Sequence, residues 1–236
     1  MNKKIIITPV EKNSEHFLNI VPATEFVPEW YRQSPTTLRG TNTEINMQTK
    51  VATNSTYKKC TPVLDALTHG DMVFLTADVE VTRKADGMPY LMWRTNREII
   101  SEHSNDQWAG FPCPEGYSPY VYKWHNQFNI QTPKDYSLLF LNPINRMDLP
   151  FTTVTGIVDC DLYGGQVHFP FFIKDDFVGI IEKGTPIAQI IPIKREPWQR
   201  EHKSYDENKS ILHAEKYLSI IKRSYKKQFW SRKEYK

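Results

Sequence analysis

The chain has 236 residues, 30 Lys and Arg against 27 Asp and Glu, and 39% apolar residues, enough for one sizeable core or two small ones. No apolar run reaches membrane-spanning length, and Met1-Asn2-Lys3-Lys4 leads into only three isoleucines before Thr8-Pro9, which argues against a signal peptide. Three widely spaced cysteines (Cys60, Cys113 and Cys160) suggest neither a disulfide framework nor a zinc site, so the expected setting is cytoplasmic.

In chain order, Lys4 to Val10 reads as a first strand. Pro22, Pro28 and Pro35 break the next stretch into short extended pieces, with Phe26, Trp30 and Tyr31 as anchors onto the body. Residues 39–57 are polar and read as an exposed loop with strand content at most. Cys60 to Leu67 predicts a short helix, capped by Thr61, with Pro62 at its first position and Gly70 beyond its end. Met72 to Thr82 predicts one strand whose Val73, Leu75, Ala77, Val79 and Val81 share a face. Ala85-Asp86-Gly87 then turns the chain into Tyr90–Trp93 as a hairpin. Residues 101–120 form a long aromatic connection, followed by short strands at Tyr120–Trp124 and Phe128–Ile130 and a strong one at Asp135–Leu141.

From Thr152 to Arg195 the sequence predicts a compact antiparallel unit. Asp161 to Gly165 supplies a turn, Gln166–Ile173 a strand, and Phe177–Ile181 and Pro186–Ile193 a closing pair. Pro170, Pro186 and Pro192 lack the ladder N–H, which confines them to strand ends, edges or bulges. Glu207 to Lys227 has helical spacing, with Ile211, Leu212, Tyr217, Leu218, Ile221 and Tyr225 able to share a face.

GIVDCDLYGGQV and FVGIIEKGTPIAQIIPI, both within this stretch, resemble the dUTPase family, whose fold, shared with the dCTP deaminases, is the β-clip. The resemblance covers about Thr132 to Arg195. KKCTPVLDALTHG, TPKDYSLLFLNPINR and GTPIAQIIPIKREPW also resemble a family of uncharacterised phage and bacterial proteins, which brings no activity with it. The fold implied is mainly β: a β-clip-like core with an N-terminal β-hairpin layer and a C-terminal helix. The expected organisation is an arm over 1–58, a hairpin layer over 59–131, the core over 132–198 and a helix with its tail over 199–236, all in one compact unit.

In dUTPases the aspartate matching Asp159 holds the deoxyribose and helps activate water, a general-base role open to a well-placed carboxylate. Tyr163 matches the aromatic that packs on the sugar, while Asp161, Asn145 and Arg146 are candidate ligand contacts. On composition alone, Asp159 and Asp161 equally suit a strand-end turn whose carboxylates bond nearby backbone N–H groups. The chain departs from the family where an arginine-serine-glycine phosphate loop should stand, for Asn142 to Met147 occupies that place without the small residues that let phosphate reach backbone amides. The glycine-rich C-terminal arm is replaced, and the deaminase glutamate has no counterpart between Asn142 and Thr155.

The expectation is therefore a non-enzymatic, homo-oligomeric protein, most simply a trimer, that binds a ligand or protein partner without a cofactor. A dUTP-like hydrolase using Asp159, with magnesium, is one alternative. A virion component, placing the protein in the virion rather than the host cytoplasm, is another. Seven scattered histidines show no paired metal spacing. Residues 215–236 hold 8 basic against 2 acidic side chains, leaving 22 against 25 elsewhere, a basic tail on an acidic body. Lys226, Phe229, Trp230 and Arg232 in that tail are partner-binding candidates, for a neighbouring subunit or, as rivals, for a nucleotide or nucleic acid.

Overall fold

A computed structural model describes residues 3–12, 15, 18–38, 41–42, 44–46, 48, 51–219 and 230–233, without the side chains of 45, 51, 52 and 214–219. The protein is mainly β, and among the described residues every strand pairing is antiparallel. In chain order the strands are β1 Ile6–Pro9, β2 Ile20–Pro22, β3 Glu44–Asn46, β4 Val51–Thr53, β5 Asp71–Phe74, β6 Val79–Arg83, β7 Pro89–Trp93 and β8 Ile100–Glu102. There follow β9 Tyr117–Trp124, β10 Phe128–Gln131, β11 Tyr136–Leu141, β12 Phe151–Thr153, β13 Gly156–Val158, β14 Phe169–Lys174, β15 Gly179–Ile181 and β16 Pro186–Lys194. The helices are α1 Glu29–Gln33, α2 Thr61–Thr68, α3 Cys160–Tyr163 and α4 Glu207–Ser219. No helix among the described residues is long and apolar enough to cross a membrane.

The chain divides into two units, each discontinuous in sequence: 1–25 with 70–196, and 26–69 with 197–236. The first holds a five-stranded sheet ordered β13-β11-β16-β5-β2, a four-stranded sheet β12-β14-β9-β8, a three-stranded sheet β15-β6-β7 and the ribbon β1-β10. Their inner faces enclose one apolar core. Trp124 stacks on Phe171 at 3.6 Å with Phe151 edge-on to Trp124, and Ile130, Leu138, Ile187 and Ile190 are buried beside them. Each such large side chain contributes about 1.5–3 kcal/mol by leaving water.

The predicted single strand from Met72 to Thr82 is two. β5 and β6 lie in different sheets, and the chain bends between them where the Leu75 N–H bonds the Thr185 carbonyl and Asp78 accepts the Lys183 N–H. The alternating pattern runs through the bend because both sheets face the same core, where Val73, Leu75, Val79 and Val81 are all buried. The stretch from Thr152 to Arg195, expected as an antiparallel unit, pairs antiparallel throughout but distributes its strands over three sheets. β12 and β14 pair together, while β13 and β16 flank β11, and β15 joins the β6–β7 hairpin. Its expected turn at 161–165 begins as the helical turn α3, which Gly164 ends in the left-handed region at φ 55°.

The prolines sit where a missing N–H costs little. Pro186 starts β16 beside a bulge, Pro192 lies past the end of β5's pairing, and Pro170 faces the side where β12 has ended. Gly70 has φ 72°, and a Cβ there would lie 2.0 Å from the Ile190 carbonyl oxygen, so no side chain fits.

In the second unit, β3 and β4 form a two-stranded ribbon within the segment expected to be a loop with strand content at most. Tyr31 is buried, with Trp30 and Tyr57 packed around it. α2 is capped by Cys60 rather than Thr61, without a side-chain bond, which moves Pro62 to the second helical position. α4 follows the predicted spacing over its described length and exposes Ile211 and Leu212. Ile221, Tyr225 and the side chains of Tyr217 and Leu218 lie outside the described residues.

Candidate functional site

β11 brings the two candidate aspartates together. On one side it pairs with β13, Leu138 opposite Val158, so the chain leaves β13 with Asp159 beside Ser137. On its other side β16 ends with Lys194 opposite Tyr136, which delivers Arg195 to the same place. The α3 turn then carries Asp161 back toward both. The Arg195 guanidinium grips Asp161 with two parallel bonds, Nη1 to Oδ1 at 2.8 Å and Nη2 to Oδ2 at 2.5 Å, a bidentate geometry that fixes both partners.

The remaining groups are matched as well. Asp161 Oδ2 also accepts the Asp135 N–H at 2.9 Å. Ser137 Oγ donates to Asp159 Oδ1 at 2.6 Å and accepts from Arg195 Nη1 at 3.1 Å, and that nitrogen lies 3.3 Å from Asp159 Oδ1. The bonds from Arg195 hold the Asp161 carboxyl down to about 2, and Asp161 in turn raises Arg195. Burial pushes the Cys160 thiol up to about 11, with the two neighbouring carboxylates adding to it, so this cysteine is an inert core residue. Asp159 keeps its side chain about half exposed, at 51%, against 5% for Asp161.

Tyr163 stands at the rim, 60% exposed, with its hydroxyl donating to the Gln166 carbonyl at 3.1 Å. Its ring lies along the backbone of Gly165, where a Cβ would come within 2.9 Å of it. Asn145 and Arg146 are elsewhere. They follow Leu141 at the far end of β11, and the five steps from Ser137 to Asn142 span about 17 Å of strand. Arg146 is occupied there by Asp148, with bonds of 2.8–3.1 Å from Nε and Nη2. Asn145 takes a left-handed φ of 59°. Buried Gln189 accepts the Ile144 N–H and Asn142 accepts the Thr153 N–H, so this corner is fastened from within.

Two of the tail candidates are described. Trp230 Nε1 donates to both oxygens of Asp65 on α2 at 2.9 Å, and Lys233 Nζ reaches Asp65 Oδ2 at 2.5 Å, all within the second unit. Burial raises the Asp65 carboxyl, but those bonds and the lysine charge outweigh it, and the net shift is downward. Arg232 is exposed. Lys226 and Phe229 lie outside the described residues.

Immediately after β9 and immediately before β14, the rings of His125 and His168 stack 4.2 Å apart, both partly buried. Ser101 Oγ bonds His125 Nε2 at 2.7 Å, and Glu98 lies 3.8 Å from Nδ1. Burial lowers His125 and takes His168 down to about 4, with the charges of His125 and Lys123 acting in the same direction. No group of three metal-ligating side chains arises among the described residues.

A concavity lies on the first unit, over the outer face of β15-β6-β7. It is an open hollow of about 750 Å³ with Tyr90, Met92 and Ile180 as its exposed apolar side chains and Asp78, Glu80 and Arg94 as its charged groups, while Leu91 and Trp93 in the same lining pack against the core. Pairing sets the rows: Ile180, Glu80 and Met92 lie side by side across the three strands. The sequence reading followed the inward face of this hairpin and missed the outward one. The signal was present in Tyr90 and Met92, large apolar residues at positions where an amphipathic strand exposes its polar face.

No protein-family model matches the chain, and no curated protein does.

Proposed function

We propose that this chain is a non-enzymatic β-rich protein, with a β-clip-like core degenerate relative to dUTPases, that binds a ligand or protein partner. The observation that carries the reading is the Arg195 clamp. The aspartates that resemble the dUTPase site are held by Arg195, Ser137 and the Asp135 N–H as the fastening between β11, α3 and the end of β16. Asn145 and Arg146, the candidates for phosphate contact, are at the other end of β11, with Arg146 engaged by Asp148. Catalysis on a triphosphate requires such groups to converge. The hollow over β15-β6-β7 instead has a volume in the range of small-molecule sites, with exposed apolar side chains and charged groups in one open surface.

A trimeric assembly in the bacterial or host cytoplasm belongs to the same proposal. Its support is the β-clip resemblance together with the exposed apolar pair Ile211 and Leu212 on α4. The hydrolase reading keeps one specific support, the half-exposed Asp159 carboxylate. Pyrophosphate release from dUTP and dCTP with magnesium decides between them. We expect none, and release that disappears in Asp159→Asn overturns the non-enzymatic reading. Light scattering of the full chain and of a 1–214 truncation tests assembly, a full chain that is monomeric at micromolar concentration overturning the trimer.

A further inference from the structure

We infer that the hollow over β15-β6-β7 is a site for a small organic cation with an apolar body, its charged group set against Glu80. The inference rests on the binding reading of the same hollow and adds the chemical class of the ligand. Glu80 is the central member of its row, with Ile180 on one neighbouring strand and Met92 on the other. Directly opposed side chains on adjacent strands stand about 5 Å apart, so the carboxylate is framed by two apolar side chains. Those two are 61% and 38% exposed, so the frame faces solvent rather than the core. The next row repeats the arrangement, with Tyr90 opposite Thr82 and Val178 one residue before β15.

The charges in the hollow are not matched to one another. Among the described residues Glu80 makes no ion pair, and Asp78 has one oxygen on the Lys183 N–H at 2.6 Å. Asp78 and Glu80 are the acidic groups of the lining and Arg94 its basic one, and no ion pair joins Glu80 to Arg94 among the described residues. The face of Tyr90 is not the cation's seat, because Lys84 already stands 5.7 Å over that ring. Trp93 packs against the core and offers the hollow no donor, as its indole N–H is bonded to the Arg97 carbonyl at 2.9 Å. A ligand whose ammonium meets Glu80 while its chain lies along Met92 and Ile180 satisfies both the carboxylate and the apolar surface. An anionic ligand of the same body meets a like charge there.

The test uses three probes with one body and different heads: octylammonium, octan-1-ol and octanoate, titrated calorimetrically below their aggregation concentrations into the full chain and into Glu80→Gln and Met92→Ala. We expect octylammonium to bind at least tenfold more tightly than the other two. Glu80→Gln should erase that preference at unchanged melting temperature, and Met92→Ala should weaken all three probes together. Equal binding of the three probes, still weakened by Met92→Ala, overturns the cation assignment and leaves the hollow as an apolar site. A preference that survives Glu80→Gln overturns it as well. Absence of binding by any probe removes both the assignment and the use of this hollow for ligands.

Discussion

The Arg195 cluster and the β15-β6-β7 face are opposite ways of placing carboxylates on a sheet. Around Arg195 two aspartates, a serine hydroxyl and a backbone N–H meet one guanidinium whose donors fit them, and Asp161 is almost wholly covered. On the hairpin face Glu80 stands among exposed apolar side chains without an ion-pair partner among the described residues. The difference teaches that an acidic motif conspicuous in sequence can be consumed by the fold. An inconspicuous alternation can meanwhile leave the group that remains open to a ligand.

The largest effect tests the core on which both regions depend. Ile190 is fully buried, and Ile190→Asp places an unpaired charge among apolar side chains, a cost on the order of 4 kcal/mol or more. Chemical denaturation should show a chain largely unfolded at 37 °C; a midpoint like that of wild type would remove the core assignment.

Next comes the clamp itself. Arg195→Ala leaves Asp159 and Asp161 facing one another without their cation, and the melting temperature at pH 7 should fall by several degrees. Arg195→Lys should recover only part of the loss, because an ammonium cannot form the two parallel bonds. A full recovery would mean that the fork geometry is unimportant.

Acid separates the clamp from the histidine stack. His168 is held at about 4, below its ordinary 6.5, so the folded state resists its protonation and stability should decline as pH falls from 6.5 towards 4. The groups facing it are His125, Lys123, Glu98 and His103, of which only Glu98 favours the charged ring. The full shift is worth ~3 kcal/mol, and the partly exposed ring and solvent screening reduce it to about 1–2. His168→Phe, which keeps a stacking ring, should flatten this limb of a pH-dependent melting series. Asp161 works in the opposite sense and in a lower window. Its carboxyl is held at about 2, so its contribution is complete above its ordinary 3.8 and is lost as pH falls through about 2. The gap between wild type and Arg195→Ala should therefore persist at pH 5 and close only near pH 2.

The smallest stability effect belongs to the other half of the comparison. Glu80→Gln should change unfolding free energy by less than about 0.5 kcal/mol, as for a surface residue without partners. A larger loss on denaturation would show Glu80 holding the hairpin rather than standing free.

Much of this protein was legible in its residues. The hairpin turning at Ala85-Asp86-Gly87, the strands at β9, β10, β11, β14 and β16, and the helix from Glu207 follow from short-range periodicity and turn chemistry, which act over a few residues. The expectation that Asp159 and Asp161 bond nearby backbone N–H groups was not met: Asp159 takes Ser137 and Arg195, and Asp161 takes its backbone N–H from the distant Asp135. What only the tertiary structure decided was partnership. Val73 through Val81 alternate without interruption, and nothing local marks the bend that sends β5 and β6 to different sheets, because a common core rewards the same alternation on both sides of it. Arg195, thirty-six residues beyond Asp159 in the chain, became its neighbour only because β13 and β16 flank β11. The same register put Arg146 at the other end of that strand. Local sequence sets which residues extend and which turn; long-range backbone pairing sets which charges meet, and no residue carries that register by itself.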